Sequence, residues 1–235
     1  MSTIEQHPLD NVVWSALTTA HAHLALGQGG ARHYPRDIAP FAALAEPSAG
    51  AYADLARQLA PGGEARLFRP REEATPAGWE TLSARPIIQM VAAADGRTDA
   101  PPEPAVESLG LAHGAEMLEL AALTEPGPFA PRTLLLGDYV GLRDAASGRL
   151  LAMAGARFRL PGFTEISAVC THPAARGRGY GRLLTRHLMA CFASRGETAF
   201  LHVYPDNPAA ALYPRWGFRE RARLWVIQRR PLPAQ

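Results

Sequence analysis

At 235 residues and 47% apolar content the chain is long enough for one large or two small domains with a packed core, and its formal charge of +2 gives no electrostatic footing for a nucleic-acid partner. Cys170 and Cys191 are too few for a disulfide framework and read as packed thiols in a reducing cytoplasm. No apolar run is long enough to span a bilayer and the first residues lack a basic-then-apolar leader, so a cytoplasmic protein without a membrane partner is expected.

In chain order, residues 11–26 carry a helical pattern through Val12, Trp14, Leu17 and Leu24, stopped by Gly27 to Gly30. His21 and His23, two apart, would lie on different sides of that helix, which argues against a shared metal. Residues 37–46 and 52–60 read as two short helices, the second closed by Pro61-Gly62-Gly63. Residues 66–69 and 87–91 read as strands, with 79–83 as a third between them. Residues 1–93 thus make a small α/β lobe without a phosphate-binding glycine loop. Residues 94–105 are polar and Pro-rich, as an exposed linker would be, and 106–235 form the second domain.

In that domain 106–109 reads as a strand and 114–123 as a helix burying Met117, Leu118 and Leu120, broken by 124–129. Residues 139–143 and 150–160 read as a hairpin across the 144–148 turn. A further strand covers 165–171, where Ile166, Ala168 and Cys170 alternate with Glu165, Ser167, Val169 and Thr171. His172-Pro173 ends it, and Arg176-Gly177-Arg178-Gly179-Tyr180-Gly181 leads into a helix with Leu184, Leu188 and Cys191 on one face. Strand, glycine loop and helix N-terminus together present backbone N–H groups to an anion, phosphate above all. A P-loop needs a Lys after its last glycine, and the chain has none; a dinucleotide fingerprint needs Gly at 182, which is Arg182. What remains is Arg-x-x-Gly-x-Gly, filled by Arg176, Gly179 and Gly181. Gly196 stops the helix, 198–203 reads as the next strand, and a short helix led by Asp206-Asn207 ends in Leu212-Tyr213-x-x-x-Gly217-Phe218. Arg219, Arg221 and Arg223 then alternate with Ala222, Leu224 and Val226 on a last strand, which reads as a solvated sheet edge rather than a nucleic-acid stripe.

The glycine loop and the Asn-led Leu-Tyr-x-x-x-Gly-Phe helix, in that order with a strand between them, resemble the two signatures of the GNAT superfamily of acyl-CoA-dependent N-acyltransferases. The resemblance covers 106–229. It implies an α/β (α+β) fold, with a mixed, mostly antiparallel central sheet flanked by helices, preceded here by a lobe that is either a degenerate acyltransferase lobe or a substrate-shaping cap. It implies acetyl-CoA, or another acyl-CoA, as co-substrate without a metal. The acceptor would be a primary amine of a small molecule or peptide, and a homodimer is compatible with it. The family's roles fall on the loop 176–181 for the pyrophosphate, with charge added by Arg178 or Arg182. The main chain of Val169 and Thr171 would meet the pantetheine arm where a β-bulge splays the strand, and Asn207 would contact the cofactor. Tyr213 is the implied general acid for the departing thiolate and Glu165 the implied base, with His172 and His202 as competing bases. Residues 129–136 would wall the acceptor site. Two departures stand out: Asn207 is one position closer to Tyr213 than the family's usual spacing, so that Asp206 is an alternative cap, and Pro214 interrupts the helix. The alternative reading is a non-catalytic acyl-CoA-binding regulatory module.

Overall fold

The computed structural model describes residues 7–93 and 105–233. A 3-10 turn at Pro8–Asn11 opens α1, Val12–Thr18, which buries Val12, Val13, Ala16 and Leu17. The helix expected over 11–26 therefore stops early. The hydroxyls of Thr18 and Thr19 donate back to the carbonyls of Trp14 and Ser15, a competing bond that bends and ends helices. A separate 3-10 turn, Ala22–Leu24, follows. His21 turns inward, nearly sealed at 3% exposure, with Nδ1 2.8 Å from the Tyr34 hydroxyl.

β1, Ala31–His33, pairs with β2, Phe41–Leu44, where the pattern 37–46 had read as a helix. All four residues of β2 are buried, and a strand covered on both faces loses the alternation that marks strands in sequence. α2, Ala49–Gln58, is capped by Ser48, whose hydroxyl accepts from the Ala51 N–H. β3 is Ala65–Arg69, and β4 is a single strand, Trp79–Ala92, where two short ones were expected. Pro86 does not interrupt it, because β9 (Thr198–Val203) pairs only with Ile88 to Val91 of β4.

β5, Glu107–Leu109, leads to α3, Gly114–Thr124, closed by Glu125 in the left-handed region at φ +47°. β6 (Tyr139–Arg143) and β7 (Leu150–Leu160) form the expected hairpin, and β8 is Phe163–Thr171. α4, Tyr180–Ala193, buries Leu184, Leu188 and Phe192 along one stripe. β10, Phe218–Pro231, is not a solvated edge: it lies between β3 and β4 inside the sheet.

The described strands make one ten-stranded sheet in the order β1-β2-β3-β10-β4-β9-β8-β7-β6-β5, antiparallel except at β2/β3 and β8/β9. Strands from both sides of 94–104 alternate in it, since β4 is inserted between β9 and β10. Ala105 is the one residue of the expected linker among those described. The core around α1 takes Phe68, Ile87, Phe200 and Val226 from one face; the core around α4 takes Met90, Ile166 and Leu201 from the other. α3 packs on Met153, Ala168 and Cys170, and α2 on Leu44 and Leu67.

Candidate active site

The site begins where two parallel strands part. β8 pairs with β9 only from Phe163↔Thr198 to Glu165↔Phe200, yet β8 continues to Thr171 and β9 to Val203. The cause is a bulge: Ser167 pairs with Gly155 and Cys170 with Met153, so Ala168 and Val169 together oppose Ala154 alone. Ala168 takes φ +52°, a left-handed conformation that costs an alanine roughly 1–2 kcal/mol. The extra residue also reverses the side-chain alternation. Ile166 faces the α4 core, whereas Ala168 and Cys170 face α3 and Val169 lies toward α4. Val169 and Thr171 thus carry main-chain groups without a β9 rung.

Beyond β8, His172 Nδ1 accepts from the Ala174 N–H and caps a 3-10 turn at Pro173–Ala175, so that ring nitrogen is spent on the turn. Arg176 is extended and exposed, and Gly177 and Gly179 both take φ +79°. No protein atom lies within 4 Å of a Cβ built at either glycine, and no side chain caps the N-terminus of α4 that follows. A Cβ at Gly181 would instead meet Trp216 and Val169 at 3.6 Å. The cradle is therefore open above the free N–H groups and closed below, a shape that fits the pyrophosphate of a coenzyme A. Arg178 and Arg182 are exposed beside it.

The single helix expected over 207–217 is two 3-10 turns, Pro208–Ala211 and Tyr213–Trp216, because Pro214 lacks the N–H that would carry an α-helix on, whereas Pro208 sits at the first position, where none is needed. Asn207, not Asp206, supplies the cap, its Oδ1 accepting from the Ala209 N–H at 2.9 Å. Asp206 pairs with Arg85 at 2.7 Å. The Tyr213 ring is 8% exposed and packs edge-on against Trp216, the residue that floors Gly181. Burial pushes its phenol up to about 12.

Glu165, placed last before the strands part, is fully buried rather than solvated. Its Oε2 accepts from Arg157 Nε at 2.8 Å; its Oε1 accepts from Arg157 Nη2 at 2.5 Å and lies 2.7 Å from His202 Nδ1. Burial alone would raise its pKa, but the Arg157 guanidinium, with His202 beside it, outweighs that and holds it at about 2. Burial lowers the pKa of His202, so the ring is neutral and its Nδ1–H donates to the carboxylate. Its Nε2 then accepts from Gln89 Nε2 at 3.1 Å, while Gln89 Oε1 accepts from Arg221. Arg157 lies over the rings of Phe41 and Phe158. His202 has both ring nitrogens engaged, and Glu165 has three of its acceptor positions filled. Arg157, Gln89 and Trp216 escaped the sequence reading, although an arginine inside the apolar run 150–160 was a signal that it had a buried partner.

On the α1/α3 face a cleft of about 620 Å³ opens beside the parted strands, lined by Tyr204 just past β9, by Ala121 and Ala122 of α3, by Glu125 at its C-cap, and by Phe129. Of the segment 129–136 expected to wall the acceptor, Phe129 lines this cleft, while Leu134 and Leu135 line another on the β5 side. Among the described residues no group of three or more His, Cys, Asp or Glu is placed to hold a metal, and no helix is long and apolar enough to cross a membrane.

Residues 139–226, from β6 into β10, match the family model described as FR47-like protein. Over 110 residues, 45% of this chain, the sequence is 36% identical to a mycothiol acetyltransferase of Tsukamurella paurometabola, and over 85 residues, 34% of this chain, 45% identical to the N-alpha-acetyltransferase RimI of Mycobacterium tuberculosis. The matches span 38% and 51% of those proteins' own lengths. A crystal structure of a GNAT-family protein from Novosphingobium aromaticivorans superimposes with a TM-score of 0.87 at 38% identity, covering 97% of this chain and 100% of that one. With the bulged strand, the open glycine cradle and an end-to-end relative in agreement, this chain belongs to the GNAT family.

Proposed function

We propose that the protein is a cytoplasmic N-acetyltransferase that moves an acetyl group, or another short acyl group, from acyl-CoA to a primary amine of a small molecule or peptide by direct attack. The observation that carries this reading is the gap between β8 and β9, opened by the bulge at Ala168 and floored by the glycine cradle. Acetyl-CoA supplies an activated thioester acyl group when bound. In this reading the N–H groups of 177–181 hold the pyrophosphate beside Arg176, the main chain of Val169 and Thr171 lines the pantetheine arm, and Asn207 shapes the turn beside it. Tyr213, kept protonated by burial, offers its O–H to the leaving sulfur. Glu165 holds Arg157 and His202 in place beneath the gap, and the ammonium proton of the acceptor leaves to water in the open cleft.

Calorimetric titration of acetyl-CoA into the wild type and Gly179→Trp tests the cradle, and thiol release over a panel of amines tests the chemistry. Binding abolished by Gly179→Trp, with turnover cut about 100-fold or more in Tyr213→Phe, is the expected result. The burial of Glu165 in an ion pair with Arg157 favours one second reading, a non-catalytic acyl-CoA-binding regulatory module. That reading predicts the same binding with no thiol release for any amine.

A further inference from the structure

The floor of the large cleft is a cross-strand polar row. Arg66 of β3 stands opposite Gln228 of β10, which stands opposite Ser83 of β4, and all three line the cleft. The adjoining row places Val226 opposite both Phe68 and Arg85. Arg85 lies over the Tyr204 ring at 4.2 Å and pairs with Asp206, both partners being more than half exposed. Arg66 differs: it is half-buried on the floor and has no acidic partner among the described residues. The acidic groups nearby are otherwise engaged or opposite, Glu64 accepting from Gln228 at 2.6 Å and Glu125 lying on the α3 wall. A half-buried guanidinium on a cleft floor is a receptor for an oxyanion, because its forked N–H donors match two oxygens of a carboxylate or phosphate. A cleft of about 620 Å³ holds a small molecule or a short peptide end.

Resting on the acyl-transfer reading above, we propose that the acceptor is an elongated amine that also carries an oxyanion, and that Arg66 holds the oxyanion at the far end of the cleft floor while the amine reaches the parted ends of β8 and β9, three strands across and roughly 15 Å along the sheet. Glu125, on the opposite wall, repels the same oxyanion and so sets its orientation toward Arg66. The acceptor is then a carboxylated or phosphorylated primary amine rather than a simple alkyl or polyamine.

Matched pairs of a length that spans this distance test it through thiol release: penta- and hexapeptides with a free C-terminus against their amides, and amidated peptides of the same length ending in phosphoserine against those ending in serine. The charged member of at least one pair should show a kcat/KM roughly 10- to 100-fold higher, and Arg66→Gln should bring the ratio close to one. The exposed control Arg230→Gln should leave the ratio unchanged. Which pair discriminates separates carboxylate from phosphate. Equal rates within every pair, or a preference that survives Arg66→Gln, overturn the proposal. Should acetyl-CoA itself not bind, the acyl-transfer reading falls, and calorimetric titration of succinate and inorganic phosphate decides the cleft independently: binding lost in Arg66→Gln supports it, and no binding or unaltered binding overturns it.

Discussion

The carboxylate of Glu165 has three donors and no solvent, so its charge is stable only while Arg157 stays in place. Removing one partner of a buried pair leaves the other uncompensated, at a cost of about 3–5 kcal/mol, whereas replacing both is far milder. Arg157→Met should therefore lower the denaturation midpoint sharply, and Arg157→Met with Glu165→Gln should recover much of the loss; equal midpoints for the two variants would contradict the pairing. His21 makes a prediction about acid. Burial, with the nearby charge of His23 as a smaller cause, depresses its pKa from 6.5 to about 4. The unfolded chain then binds a proton that the folded chain refuses, so this contribution is intact above pH 6.5 and is lost as pH falls toward 4. The total is on the order of 3 kcal/mol. His21→Gln should flatten stability against pH in that window, measured by denaturant unfolding at a series of pH values. Glu165 acts lower, its contribution disappearing as pH falls from 4.5 toward 2.

β8 shows how one inserted position can make a site. If Ala168 is deleted, Ser167 and Val169 become neighbours in an unbroken ladder, the alternation beyond the bulge reverses, and the strand is free to pair further along β9. Deletion of Ala168 should thus abolish acetyl-CoA binding by calorimetry while far-UV circular dichroism still reports a folded sheet. Ala168→Gly is the contrasting change. It relieves the left-handed strain and offsets it with unfolded-state entropy, so stability should move by no more than about 1 kcal/mol and binding should persist.

At the scale of the molecule the sheet unites the two sides of 94–104. β10 lies between β3 and β4, and β4 separates β10 from β9. The fragment 106–235 would leave β9 and β10 with bare edges and the Phe200 and Val226 side of the core uncovered. Expressed alone, it should aggregate or elute as large oligomers in size-exclusion chromatography, and co-expression with 1–93 should restore a discrete species. A monomeric, cooperatively melting 106–235 would show that the C-terminal half needs no partner strands.

Family and loop were legible because they are local. Arg176 to Gly181 and Leu212 to Phe218 carry their signal within a few residues, and the β6/β7 hairpin and α3 and α4 follow from turn residues and period. β2 was not legible: a strand buried on both faces has lost its alternation, and only the neighbours β1 and β3 give it that environment. The burial of β10 depends on strands far away in sequence, as does the pairing of Glu165 with Arg157 and His202. The sequence by itself determined where backbone N–H groups would be freed for an anion, since glycine and helix starts act over a few bonds. Only the tertiary structure decided which charges are paired, because pairing across strands depends on register, and register is a property of the whole sheet.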